Sequence, residues 1–256
     1  DSLLLAHVAR WQLPDAIEFV EQLPLTATGK VSKLTLRQKF EAFELPNETY
    51  RITMDLGVTE RVTTLLNAVR EMIENDIAPL DREYHTEVGK HPSGNRFAMT
   101  DRQLEIIDGL KALARKRNLW NFWLTGSDRG YGLSTVEYAY FAEEMGKVPL
   151  AAEVFNCSAP DTGNMEVLER YGTQAHKDRW LGDLLAGQIR SAYVMTEPGL
   201  ASSDAAQLAF EARRDGNDFI LNGEKWWISG AGDPRCALYI LMANTAPKAA
   251  KHSRHT

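Results

Sequence analysis

Three short stretches hold the residues best suited to chemistry: Tyr193-Val194-Met195-Thr196-Glu197-Pro198, Ala201-Ser202-Ser203-Asp204 and Asn222-Gly223-Glu224-Lys225-Trp226-Trp227-Ile228-Ser229-Gly230. Pro198 biases the residue before it away from the helical region, so the first stretch ends in a fixed corner. Thr196 sits at that strand end, where its hydroxyl can face a ligand. In the second stretch, small residues let backbone amides approach an anion, and the hydroxyls of Ser202 and Ser203 can donate to phosphate oxygens. Trp226 and Trp227 are adjacent on a segment that reads as extended, so they are expected to face opposite sides. One indole would pack inward and the other would cover a planar ligand. Ser229, two residues on from Trp227, would share its face, and a hydroxyl there could bond the edge of a heteroaromatic ring. Each stretch has a plain structural alternative: a strand corner, a Ser/Asp turn, a pair of packing indoles. It is their succession within one short span that points to a site.

These residues must be placed by what surrounds them, and the surroundings change character along the chain. Residues 53–188 read as helical. Val62, Leu65, Leu66, Val69, Met72, Ile73, Ile77 and Leu80 recur at helical spacing and predict one amphipathic helix. Thr100 with Gln103 and Ser134 with Glu137 have the spacing of capping boxes, which open two further helices. Thr173 is a candidate cap for another, with Trp180, Leu181, Leu184 and Leu185 turned inward. Gly172 and Gly187 stand where helix stops are expected. From about Ile189 the period shortens. Ile189 to Thr196 suits a strand, Gln207 to Arg214 and Phe219 to Ser229 form a hairpin about Asp215-Gly216-Asn217-Asp218, and Cys236 to Ala243 is a further strand. Helices first and strands after argue for an α+β chain: an all-helical domain, then an antiparallel β domain over residues 189–256. Upstream, residues 1–41 form a short unit and residues 42–52, with Pro46 and two acids, read as a linker.

Composition narrows the function classes. The chain has 256 residues, 44% hydrophobic and 25% charged, with a net charge of −6. That balance gives no general attraction to nucleic acids or anionic membranes, and no apolar run is long enough to cross a bilayer. The only two cysteines, Cys157 and Cys236, suit buried thiols in a reducing, cytoplasmic compartment rather than a disulfide framework. The six histidines are scattered, and the closest pair, His252 and His255, has no acidic or Cys partner nearby in sequence, so a metal site is not expected. Gly126, Gly130 and Gly132 lack the strand–turn–helix order of a nucleotide loop and read as a connection.

Taken in order, Thr-Glu-Pro, the Ser-Asp loop, a strand pair and Trp-Ile-Ser resemble the acyl-CoA dehydrogenase family over residues 53–256, with Ser229 where that family has Thr. Phe155 to Glu166 is similar to the branch whose members are sometimes fused to other domains, and Tyr171-Gly172-Thr173 and Trp180-Leu181 match the helices before its β domain. The resemblance implies FAD as cofactor. Tyr193, Met195 and Thr196 would lie along the flavin, Trp227 would flank the ring, and Ser229 would bond its polar edge. Ser202 or Ser203 would reach the pyrophosphate or the thioester end. Glu197 would be structural. The loop departs from the family's Gly-Ala-Gly-Ser, being one residue longer and short of a Gly, so the choice between the two serines stays open. The implied reaction is α,β-dehydrogenation of an acyl-CoA: a carboxylate takes the α-proton and hydride leaves for flavin N5. An electron-transferring flavoprotein would accept the electrons, and the full-length protein would be a homo-oligomer. In the family the carboxylate comes from a C-terminal helical bundle, which is absent here. The base is therefore expected downstream of Thr256, and these residues are expected to be catalytically incomplete.

A second resemblance precedes it. Leu23-Pro24-Leu25-Thr26-Ala27-Thr28-Gly29-Lys30-Val31-Ser32-Lys33 resembles the C-terminal subdomain of acyl-CoA synthetases, with Lys30 on the adenylation lysine. A Lys after a Gly turn can carry a point charge to a carboxylate or phosphate. The ATP-binding body of such a ligase is missing, so Lys30 would have no site to act on. A fusion of ligase remnant and dehydrogenase is the first reading; an inactive dehydrogenase-like scaffold that binds CoA or a partner is the alternative.

Overall fold

The apolar spacing that begins at Val62 does build a helix, but not an unbroken one. In the computed structural model, which describes residue 35 and residues 38–40, 57–125 and 130–246, α1 runs Glu60–Met72, a wider π-helical turn follows at Ile73–Ile77, and α2 runs Ala78–Thr86. Pro79 explains the break. It has no N–H to give to the preceding turn and its ring crowds the carbonyl of Asn75, so the turn before it opens. The inward face survives: Val62, Leu66, Val69, Met72, Ile73 and Ile77 are all buried.

α3 spans Asp101–Lys116 and α4 spans Thr135–Gly146, and each opens on a reciprocal capping box. Thr100 Oγ1 accepts from the Gln103 amide at 3.2 Å while Gln103 Oε1 accepts from the Thr100 amide at 3.1 Å. Ser134 and Glu137 repeat the exchange at 3.2 and 2.8 Å. The remaining helices are short: α5 Ala151–Val154, α6 Asp161–Tyr171, α7 Gln174–His176 with a π-helical turn at Lys177–Leu181, and α8 Gly182–Leu185. Thr173 caps α7 through the His176 amide. The two glycine stops work differently. Gly187 takes the left-handed conformation, φ 64°, whereas Gly172 is extended and is required because a Cβ there would stand 2.5 Å from the Leu168 carbonyl oxygen. The helical core centres on Phe122, Phe141 and Phe155, all fully buried, with Phe122 stacked on Phe141 at 4.9 Å between ring centroids.

Four strands follow: β1 Arg190–Val194, β2 Glu211–Asp215, β3 Asp218–Asn222 and β4 Cys236–Leu241. The α+β order holds, with one difference from the antiparallel expectation. The hairpin β2–β3 is antiparallel, but β1 pairs with β4 in parallel. Some forty residues separate those two strands, and a connection of that length can return the chain in the same direction, which a tight turn cannot. The end of β4 also meets the start of β2: the Ala212 amide donates to Asn244 O at 3.1 Å, and the Asn244 amide to Phe210 O at 2.7 Å. β1 alternates, with Ala192 and Val194 buried and Tyr193 exposed.

A buried ionic cluster joins the helices to the strands. Glu153 on α5 receives Arg190 of β1 at 2.7 Å, Arg235 at 2.6 Å and Lys111 of α3 at 3.2 Å. Asp161 on α6 lies against Arg190 Nε in an ion pair without hydrogen-bond alignment, and its Oδ1 accepts the Ser191 amide and hydroxyl, both at 2.7 Å. Asp233 pairs with Arg235 at 2.7 Å. Three cations and three carboxylates thus balance. Burial alone would raise the Glu153 carboxyl, but Arg190, Lys111 and Arg235 pull it down to about 2. A neighbouring cavity of about 270 Å³ is lined by members of this cluster with Tyr84, Phe97 and Gln103.

Residues 1–57 and 58–256 form separate units. The ligase-like string with Lys30, the linker at 42–52 and the His252–His255 pair lie outside the described residues, as does most of the Gly126–Gly132 connection. Among the described residues, no helix is long and apolar enough to cross a membrane, and no His, Cys, Asp and Glu cluster could hold a metal ion.

Candidate functional site

The site grows from the end of β1. Beyond Val194 the chain turns through Met195, Thr196 and Glu197, and Glu197 is the hub of the corner. Its carboxylate accepts the amides of Ala209 at 2.8 Å and Phe210 at 3.0 Å and the Lys225 ammonium at 2.9 Å. Its own amide donates to Ser202 Oγ at 2.8 Å. Burial alone would raise this carboxyl, but the Ala209 amide, Lys225 and the Phe210 amide together hold it below its usual range. Such a group is an anchor rather than a proton acceptor, because every favourable contact it makes is with its charged form.

This geometry separates the two serines. Ser202 is buried, with its hydroxyl inside the corner near Glu197 and Leu200. Ser202 therefore holds the loop, its oxygen accepting the Glu197 amide. Ser203, the next residue, is exposed.

The tryptophans also differ from expectation. β3 ends at Asn222, and residues 224–228 belong to no strand. Trp227 has φ 52°, a left-handed conformation that is uncommon for a bulky residue. Strict alternation holds only along extended backbone, so the two indoles do not point to opposite faces. They meet instead, with ring centroids 5.8 Å apart and planes at 56°. Trp226 is 45% and Trp227 80% exposed. Ser229 lies in the turn that follows and is exposed, so a shared face with Trp227 does not follow from alternation either.

The Trp segment is nevertheless held beside the corner. Lys225 Nζ donates to Met195 O at 2.8 Å, and the Trp226 amide donates to Thr196 O at 3.1 Å. These bonds bring together the Tyr193–Thr196 and Trp226–Ser229 stretches, some thirty residues apart in the chain. Among the described residues, the hydroxyls of Thr196, Ser203 and Ser229 make no hydrogen bond to protein, while Tyr193 is 40% exposed. The bonds from Lys225 and the Trp226 amide place Thr196 beside the Trp226–Ser229 segment, which carries the open Trp227 indole. Lys225 was not singled out by sequence reasoning. A lone Lys before two tryptophans gives no sign of a partner 28 residues upstream.

Residues 59–188 match the acyl-CoA dehydrogenase N-terminal domain, and residues 192–256 match the acyl-CoA dehydrogenase middle domain. The chain belongs to the acyl-CoA dehydrogenase family. It is 39% identical to acyl-CoA dehydrogenase family member 11 of Mus musculus over 91% of this chain and 29% of that one. It is 41% identical to family member 10 of the same organism over 78% of this chain and 18% of that one. A solved structure described as an acyl-CoA dehydrogenase from Mycobacterium abscessus is 42% identical, with a TM-score of 0.70, over 78% of this chain and 50% of that one. A glutaryl-CoA dehydrogenase from Mycobacterium smegmatis, solved in complex with FADH2, shares the fold at a TM-score of 0.55 and 23% identity, over 76% of this chain and 45% of that one. The chain therefore spans half or less of the acyl-CoA dehydrogenases it matches.

Proposed function

We propose that the Thr196 corner and the Trp226–Ser229 segment form the flavin-facing wall of an FAD-dependent acyl-CoA dehydrogenase. In this reading Tyr193, Met195, Thr196, Trp227 and Ser229 lie against FAD, and Ser203 reaches the pyrophosphate or the thioester end of an acyl-CoA. The observation that carries it is the pairing of an 80% exposed indole, on a segment anchored by its neighbours, with three hydroxyls that have no partner among the described residues. An indole fixed in place but uncovered suits a planar ligand, and free hydroxyls suit the polar edge of a heteroaromatic ring. The residues present thus fit the group. FAD, when bound, supplies the hydride acceptor.

The protein's own part is orientation. Trp227 covers the ring, Thr196 and Ser229 donate to its edge, and the corner below them keeps both in place. Glu197 takes no proton from substrate, since Ala209, Phe210 and Lys225 occupy its carboxylate. No residue of this wall is assigned the removal of the α-proton; its part in this reading is to bind and orient FAD. An electron-transferring flavoprotein as acceptor, self-association of the full-length protein and a reducing cytoplasmic setting belong to the same reading. The free thiols of Cys157 and Cys236 support the last of these.

The ligase likeness of residues 1–41 is carried by the string around Lys30 alone. The match to the mouse relative covers 91% of this chain and so reaches upstream of residue 59. Part of that stretch is thus shared with a protein named as a dehydrogenase. Lys30→Ala should leave FAD binding unchanged. Titrating the purified chain with FAD should quench flavin fluorescence saturably, and a linear, non-saturating signal would refute the wall. Adding an acyl-CoA and following the visible flavin absorbance tests separately for a proton acceptor, which rapid bleaching would reveal.

A further inference from the structure

We infer that the buried Glu197–Lys225 ion pair is the positioning device of this wall, setting where Trp226, Trp227 and Ser229 stand relative to Thr196. The inference rests on the flavin-facing reading for its purpose, but its geometry stands by itself. Trp227 is too exposed for its own burial to fix it. Its segment is bracketed by Gly223 and Gly230, both at positive φ, 137° and 83°, turns that residues with a side chain rarely adopt. What holds it are the bonds at Lys225 and Trp226. Lys225 Nζ donates to Met195 O at 2.8 Å and to Glu197 Oε1 at 2.9 Å, and lies 5.2 Å from the centre of the Phe210 ring. The two side chains are only 6% and 5% exposed.

Glu197 in turn is fixed by amides of the chain entering β2, those of Ala209 and Phe210. The pair therefore locks three segments at one point: the corner after β1, the approach to β2 and the Trp segment. A buried ion pair is a poor choice for stability alone, because well-packed apolar residues of the same volume do as well or better. An ammonium with two acceptors at fixed distances does something an apolar side chain cannot. It sets register along the chain, the best-attested use of a buried charge. Glu197 and Lys225 are positioning residues here, since neither is placed against the substrate or the flavin.

The test reads the wall with and without ligand. Two indoles 5.8 Å apart and inclined at 56° should give an exciton couplet in far-ultraviolet circular dichroism, and Trp226→Phe should abolish it. Two variants are compared with wild type, Lys225→Met and the double variant Glu197→Gln/Lys225→Met. The double variant strands no charge and leaves a Gln oxygen for one of the two amides, Ala209 or Phe210, so it keeps the question open should the single variant fail to fold. We expect the couplet to be lost in the folded double variant, and the Kd for FAD to rise roughly tenfold or more, a factor of ten being 1.4 kcal/mol. A couplet and an FAD affinity equal to wild type in the double variant would overturn the inference. Loss of the couplet in a protein whose wild type binds no FAD would support the positioning role and refute the flavin reading instead.

Discussion

The helical region and the β region of this chain use their side chains in opposite ways. In the helical region, large apolar residues meet one another: Phe122, Phe141 and Phe155 are fully buried, and the capping residues are paired with the amides they cap. In the β region after residue 190, Phe219, Ile220, Leu221, Trp226, Trp227 and Tyr239 are all more than a third exposed. The helical part holds the fully buried aromatic core, whereas the β part presents more of its large apolar residues at the surface. Stability and recognition are thus largely divided between two stretches of one chain, and substitutions should sort accordingly.

The sharpest way to break that division is Phe122→Ala. A fully buried aromatic ring in contact with two others should lose about 3–5 kcal/mol on truncation, read as a large fall in the urea midpoint. Next comes Glu153→Gln. The carboxylate sits among Arg190, Lys111 and Arg235 and is held at about 2, below the ordinary glutamate value of about 4.3. A depressed folded-state value contributes stability that is fully present above the unfolded value and is lost as pH falls towards about 2. The contribution is roughly 3 kcal/mol. Urea titrations between neutral and strongly acid pH should show a decline in wild type that Glu153→Gln flattens. An equal decline in both would mean that other carboxylates carry the acid sensitivity.

The two regions also differ in how far they could be read in advance. The capping boxes at Thr100 and Ser134, the cap at Thr173 and the inward faces of the helices follow from spacing, because helix chemistry is local and repeats within a turn. The hairpin about Gly216-Asn217 is local in the same sense. What escaped was anything set by a partner far along the chain. The π-helical turn before Pro79 is the one local exception, since its cause lies in the next turn. The parallel pairing of β1 with β4 replaced an antiparallel one. Trp227 left the extended conformation, and with it went the inference about faces. Glu197, Ser202 and Lys225 close one corner from three positions, and no periodicity connects them. The motif order located the wall in the sequence. Only the folded chain tells which of its residues face outward and which hold the others in place.

Smaller effects sharpen the comparison inside the wall itself. Ser202→Ala removes the acceptor for the Glu197 amide in a buried corner, which should cost about 1–3 kcal/mol. Ser203→Ala, one residue on and exposed, should leave stability unchanged. If the two serines behaved alike in thermal denaturation, the corner would not be built as described. Trp227→Ala completes the series with the smallest expected change in stability. At 80% exposure its loss should alter unfolding by no more than about 0.5 kcal/mol. The same substitution should weaken FAD binding, because the indole is the largest open face on the wall. A residue that hardly matters to the fold and matters to the ligand is what a surface kept for recognition predicts. A Trp227→Ala protein that lost several kcal/mol and bound FAD as wild type does would show instead that the indole belongs to the fold, and the division between the two regions would fail at the residue where it is drawn most sharply.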